Sequence, residues 1–395
     1  MLKASRLTHQ KKQPLAAAAA IVGAVICAGV ASAQQSSPTL KAKVPQLYQE
    51  RLQNASPEIR AKIEALEQRA LREKWRFWPT YTAAFDHPMS ELGGALPGPS
   101  KAIAAAQQAS ARQALQRYYG EKRRLGIHST IACNSRFESF DWRSKHKLSE
   151  IQKQDPCASC WAFAAASAFE GSYLIENNQL VDASEQRLVN CVPNDCKTGG
   201  YLWKALDYLV STGTDLENDD PYVGKHRHCT PTSAQMRRLV TYSMIDTDWT
   251  KVVAPAKIKS ALCEHGPIAV RLISTAAFRS LSGEQVFHQV DSGLTVDSDN
   301  DDLGIGGHFL NIIGWDDTLG AHGAWLVRNS WGKAWGNGGY GWIEYGANLI
   351  GHQATWVHAA HDKVGVGRGP KASSTLPTRR TAGVPRARWC ATTAR

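Results

Sequence analysis

At 395 residues, with 43% hydrophobic side chains, the chain is long enough for one or two globular units plus appendages, and its composition is ordinary for a protein with a sizeable core. The net charge of +11 does not mark a nucleic-acid-binding face: four positive charges lie in residues 1–33, a net seven lie in 362–395, and the rest of the chain balances.

In chain order, Lys3, Arg6, Lys11 and Lys12 precede an apolar run from Leu15 to Val30 that closes on Ala31-Ser32-Ala33. This is the pattern of a secretory leader, residues 1–33, and the run is short for a membrane span. A soluble, exported mature protein, secreted or periplasmic and without stable membrane insertion, is expected. Of nine cysteines, Cys27 would leave with the leader, and an oxidising compartment would favour disulfides among the remaining eight. If one of these is a free nucleophile, the other seven cannot all pair within the chain.

Residues 34–130 are charged, rich in Ala and Gln, and helical in spacing. Ile59, Ile63, Leu66 and Ala70 share one face, with Ser56 as N-cap and Pro57 at the first helical position. A second helix is predicted from about Lys101, after Ser100, to Leu125. The Pro- and Gly-rich stretch "YTAAFDHPMSELGGALPGP" between them reads as loop. No heptad persists, so these helices need a partner surface other than a coiled coil.

Residues 131–361 turn to dense Gly, Trp and β-branched residues. Helices are predicted at 160–176, 184–190, 200–211 and 255–265, and strands at 267–273, 308–315, 323–328 and 339–345. Helices first and strands later predict an α+β arrangement of two facing halves. Residues 362–395 are basic and rich in Pro, Gly, Thr and Arg, without apolar periodicity, as in a disordered tail.

The segment "QKQDPCASCWAFAAASAFEG" concentrates the chemistry. Ser159 is a natural N-cap and puts Cys160 in the first turn of a helix, where free amides and the helix dipole favour an anion. The Cys160 thiol is therefore expected to ionise readily. Cys157 lies outside that turn and is better placed to staple the loop. A thiolate needs an imidazole partner that can later protonate a leaving group. His308, opening the apolar strand in "GIGGHFLNIIGWDD", could meet that need and Asn329 in "AWLVRNSWGKAWGNGGYGWIEY" could orient the ring, although each taken alone reads as structural, a strand-start histidine and a turn residue.

The order Gln, Cys, His, Asn resembles the papain and cathepsin family of cysteine peptidases, including bacterial secreted members. His308 follows "CASCW" 148 residues after Cys160, and Asn329 follows 21 later, within the family's usual spacing. The likeness runs over about residues 137–361 through "SFDWR", "ASEQRLVNC", "GGYLWKALDYL" and "NSWGKAWG". It implies a two-subdomain fold, a helical half and a β-barrel-like half, with the cleft between them. It implies Cys160 as nucleophile, His308 as acid and base, Asn329 as its orienting partner and Trp331 as a shield. Gln154 would be an oxyanion donor worth ~3 kcal/mol. Gly199, Gly200, Tyr201, Leu202, Phe309 and Trp331 would bind substrate, with Phe309 narrowing the specificity pocket. Bridges Cys157–Cys196 and Cys191–Cys229 follow from the family, leaving Cys133 and Cys263 for an extra bridge and Cys390 free. Residues 34–130 would be a helical propeptide inhibiting the cleft of a monomeric enzyme that acts on peptides or proteins.

Two glycines usual in the nucleophile loop are replaced, by Asp155 and Ala158; if either position needs positive φ, the oxyanion site would be strained. A papain fold kept for binding, or an acyl transferase or exopeptidase using the same thiol, are therefore the alternatives. The acidic loop "DSDNDDLG" lacks the glycine and closing glutamate of a calcium loop, and His226, His228 and Cys229 fit no zinc spacing. Neither metal nor cofactor is expected.

Overall fold

The computed structural model describes residues 37–128, 133–194, 196–230 and 236–364. The leader and basic tail expected from sequence, and Cys390, lie outside these residues. The N-terminal region contributes five helices: α1 (Ser37–Ala42), α2 (Gln46–Gln53), α3 (Pro57–Glu73), α4 (Met89–Leu92) and α5 (Lys101–Arg124). The two long ones start as their sequences dictate, Ser56 Oγ accepting from the Ile59 amide and Ser100 Oγ from that of Ile103.

After Cys133 come β1 (Ser139–Asp141), α6 (Cys160–Asn177), α7 (Glu185–Cys191) and α8 (Leu202–Ser211), then β2 (Leu239–Met244), α9 (Pro255–His265), β3 (Ile268–Ser274) and α10 (Ala276–Arg279). The chain continues through β4 (Val286–Phe287), β5 (Gly306–Asp316), β6 (Ala324–Arg328), β7 (Tyr340–Glu344) and β8 (His352–Ala359). One eight-stranded sheet runs β2-β8-β3-β5-β6-β7-β4, with β1 added on β5. All pairings are antiparallel except β4 with β7.

This is the two-part α+β fold. The helical half is centred on α6, in which every residue except Ile175 and Asn177 is buried. A helix apolar all round must be enclosed, and the run of alanines lets α7, α8 and the sheet approach it closely. The strand half has its own core around Trp315, Trp325, Trp331, Trp335 and Phe278, and Trp75, Phe77, Met89 and Leu92 of the N-terminal region are part of that core. Disulfides join Cys157 to Cys196, Cys191 to Cys229 and Cys133 to Cys263, the usage of a protein that matures in an oxidising compartment. Among the described residues no helix is long and apolar enough to cross a membrane.

The N-terminal region holds the body along its length, through Tyr48 OH on the Gly336 carbonyl and Arg69 on Asp291 among other contacts. Gln107 and Gln108 of α5 donate to the main-chain carbonyls of Tyr242 and Met244 on the edge strand β2, and Lys122 forms a buried ion pair with Glu176 at 2.6 Å. Farther on, Arg279 Nε donates to the Ala84 carbonyl at 2.9 Å, and its guanidinium also reaches that of His87.

Candidate active site

Cys160 is the first residue of α6, His308 lies on β5, and Asn329 directly follows β6. His308 Nε2 lies 2.7 Å from Asn329 Oδ1. An amide oxygen only accepts, so Nε2 carries the proton and Nδ1 is left as the basic nitrogen. Trp331, itself buried, lies with its ring 4.5 Å from the imidazole and tilted by 31°, which keeps water from the His308–Asn329 bond. Gln154 is held at both ends: Ser330 Oγ donates to its Oε1 at 2.7 Å, and its Nε2 donates to the Leu92 carbonyl at 3.1 Å.

That carbonyl belongs to the N-terminal region, which runs through the cleft. The Gly200 amide donates to Gly94 O at 3.0 Å, the Leu96 amide to Gly200 O at 3.2 Å, and the Ala95 amide to Gly307 O at 3.1 Å. Residue 95 thus pairs with Gly200 as a one-residue parallel strand. The fit needs glycine on both sides. A Cβ on Gly199, whose φ is +84°, would come 2.1 Å from Gly94 O, and one on Gly200 would meet the Trp161 ring at 2.4 Å. His87 ties the same segment to the loop before Cys160, with Nε2 2.9 Å from Asp155 Oδ2.

Burial changes the chemistry expected of Cys160 in this state. Burial pushes its thiol up to about 12, against the opposing effect of the Phe309 amide, the Arg271 charge and the amides of the first helical turn. Burial likewise lowers His308 to about 4, although the Asn329 bond and the nearby Leu92 carbonyl favour its protonated form. The readily ionised thiol expected from the helix start is therefore absent in this state, because desolvation outweighs a few amide dipoles. Nor does Ser159 cap α6 with its side chain: Oγ donates to Cys157 O and meets Tyr222 OH at 2.8 Å. The anticipated loop strain is also absent, since neither Asp155 nor Ala158 has positive φ.

A family model described as papain family cysteine protease matches residues 137–360, more than half of the chain. The chain belongs to the papain family of cysteine proteases. It is 33% identical over 229 residues to a cysteine protease of Blomia tropicalis, covering 54% of this chain and 63% of that protein. It is 34% identical over 206 residues to fruit bromelain of Ananas comosus, covering 51% and 53%. The chain thus spans less than two thirds of the length of these relatives. Among solved structures, procathepsin L 3 of Tenebrio molitor larval midgut aligns at 26% identity and TM-score 0.49, over 58% of this chain and 72% of that one. The proform of the ragweed pollen cysteine protease Amb a 11 aligns at 28% and 0.48, over 58% and 68%.

Within this papain-family frame, His308 meets Asn329 and Trp331, Gln154 meets the adjacent Ser330, and Gly199 and Gly200 lie against the N-terminal region. Leu202 and Phe309 are buried in the core of the helical half and are absent from the walls of the cleft cavity. Phe309 packs there because β5 alternates its side chains, and the one after His308 faces α6. Tyr201, half-buried at the N-terminus of α8, stacks toward Trp203 and Lys204. Two participants escaped the sequence reading. Arg271 lies on β3 opposite Phe309, and its signal was a lone charge inside the apolar run "IAVRLIS". The other is "LGGALPG", read as punctuation, whose glycines permit the close passage through the cleft.

Proposed function

We propose that this protein is a papain-type cysteine endopeptidase made as an exported precursor, with residues 1–33 as leader and 34–130 as a pro-segment that blocks the cleft until removed. The observation that carries the reading is that His308 is held through Nε2 by Asn329, leaving Nδ1 open, while Gln154 Nε2 donates to a peptide carbonyl of the N-terminal region, that of Leu92. A substrate carbonyl in that place would be attacked by Cys160 sulfur as thiolate, with a C–S bond forming and the negative charge moving to oxygen. Gln154 Nε2 would stabilise that oxyanion, and such a donor contributes roughly 3 kcal/mol. His308, having taken the thiol proton at Nδ1, would deliver it to the departing amine as the C–N bond breaks. Water would then attack the thioester, giving its proton to His308, and release the acid with the free thiol. Asn329 would hold the ring in the tautomer that leaves Nδ1 basic.

The unstrained Asp155–Ala158 loop favours an active enzyme over a binding protein. After removal of the pro-segment, an epoxide thiol-protease inhibitor should label Cys160, as read by mass spectrometry, and Cys160→Ala should abolish peptide hydrolysis. Absence of the adduct, or hydrolysis that survives the substitution, would sink the proposal. A labelled enzyme that cuts no internal bond would point instead to exopeptidase or acyl-transfer chemistry.

A further inference from the structure

The floor of the cleft carries a guanidinium that the chemistry above does not use. Arg271 projects from β3, the neighbour of β5, one register step from the pair Leu272–His308. It is buried, 5% exposed, in a strand whose other side chains are Ile, Ala, Val, Leu, Ile and Ser. Its Nε donates to the Ala95 carbonyl of the pro-segment at 3.2 Å, and its Nη1 has no hydrogen-bond partner among the described residues. Gly307 makes room for it: a Cβ there would fall 2.4 Å from Arg271 Nη2. The group lines a cavity of about 640 Å³ together with Gly306, Gly307 and the 93–97 stretch.

A buried guanidinium with an open donor is costly unless an anion completes it, and a planar fork suits a carboxylate. No carboxylate of the protein does so among the described residues. Asp297 and Asp299 line the same cavity but act on Arg271 only as charges, without a hydrogen bond to it. His352, its register partner on β8, is held neutral at about 4 by burial and by the Arg271 charge. Among the described residues the acceptor offered to Arg271 in the precursor is a main-chain carbonyl, from the residue that pairs with Gly200.

We propose that Arg271 is a specificity-determining residue that selects an acidic side chain, Glu or Asp, on the substrate residue whose main chain pairs with Gly200. In a substrate running opposite to the pro-segment, where residue 95 follows Leu92, that residue precedes the one bearing the scissile carbonyl. The inference rests on the peptidase reading and narrows its substrate class to peptides with a carboxylate at that position. The pro-segment offers a weaker, neutral acceptor to the same fork and leaves Nη1 open.

The test uses enzyme freed of its pro-segment and matched peptides that differ only at that residue: Glu, Asp, the isosteric neutral Gln, and Leu. Charge-assisted hydrogen bonds of this kind predict kcat/KM for Glu over Gln of about ten- to a hundredfold, falling as salt is raised. Arg271→Gln should bring the ratio close to one, and Arg271→Lys should keep part of it. A wild-type ratio at or below one, or a ratio unmoved by Arg271→Gln, overturns the inference alone. The wild-type ratio decides even if the variant does not fold. Hydrolysis of none of the four peptides overturns the peptidase reading and this inference with it.

Discussion

Gly94→Ala in the precursor should expose the Cys160 thiol. Gly94 has a φ of +100°, where an L-side chain costs roughly 1–2 kcal/mol. The added Cβ would meet Ala158 O at 2.5 Å, Ala158 Cβ at 2.8 Å and the Gly199 Cα at 2.9 Å. Two of those three atoms are backbone, so relief requires the pro-segment to back out of the cleft. Doing so strains or breaks the Gly200-to-Gly94 and Leu96-to-Gly200 hydrogen bonds, each worth about 1 kcal/mol net. Half of that loss added to the backbone term gives about 2–3 kcal/mol, which raises the population of open precursor roughly thirty- to 150-fold. The assay is the second-order rate at which a small alkylating reagent modifies Cys160 in the intact precursor, with the adduct located by mass spectrometry. Once the proposed pro-segment has been removed residue 94 is absent, so both proteins should then react alike. A precursor rate changed less than twofold would refute the view that this glycine contact holds the cleft shut.

The alkylation rate of the precursor should also depend on pH in a way the mature enzyme's does not. With the thiol raised to about 12 and His308 lowered to about 4, both groups are neutral between those values, and thiolate content rises about tenfold per pH unit with no plateau below pH 10. Removing the pro-segment rehydrates the pair and should produce a reactive plateau near neutrality; the same plateau in the precursor would contradict the burial argument. The bridge from Cys133 to Cys263 closes a loop of 130 residues, for which chain entropy sets an upper value of about 5 kcal/mol. The double variant Cys133→Ser, Cys263→Ser should therefore lower the denaturation midpoint under non-reducing conditions, and an unchanged midpoint would show that the bridge constrains nothing.

Much of the site was legible because each of its members sits where local rules are strong. Ser56 and Ser100 announce helices, the alanine run after Cys160 announces a buried one, and β5 and β6 are apolar runs ended by turn residues. Strand β8, "HQATWVHA", was missed because its polar side chains are buried by the fold and not by their own character. In β2, "LVTYSM", the edge strand is buried along its whole length between the helical half and α5, so the alternation that would mark a half-exposed strand never appears in the sequence. The thiol's protonation state was illegible for a related reason. It depends on what covers the helix start, and the covering residues lie more than sixty positions upstream in a stretch whose composition says only loop.

The seal that α5 places on β2 bears on where maturation can cut. A cut at 97–100 would release the plug from the cleft yet leave Gln107 and Gln108 on the β2 carbonyls, so the product would keep a finished sheet edge. A cut beyond Gly126 would strip that edge bare and leave it able to recruit another strand, while the tether at Cys133 still fixed the new chain end to α9. The choice of bond thus separates two products with one active site: a solitary enzyme with a guarded flank, and one whose flank invites association with its own kind.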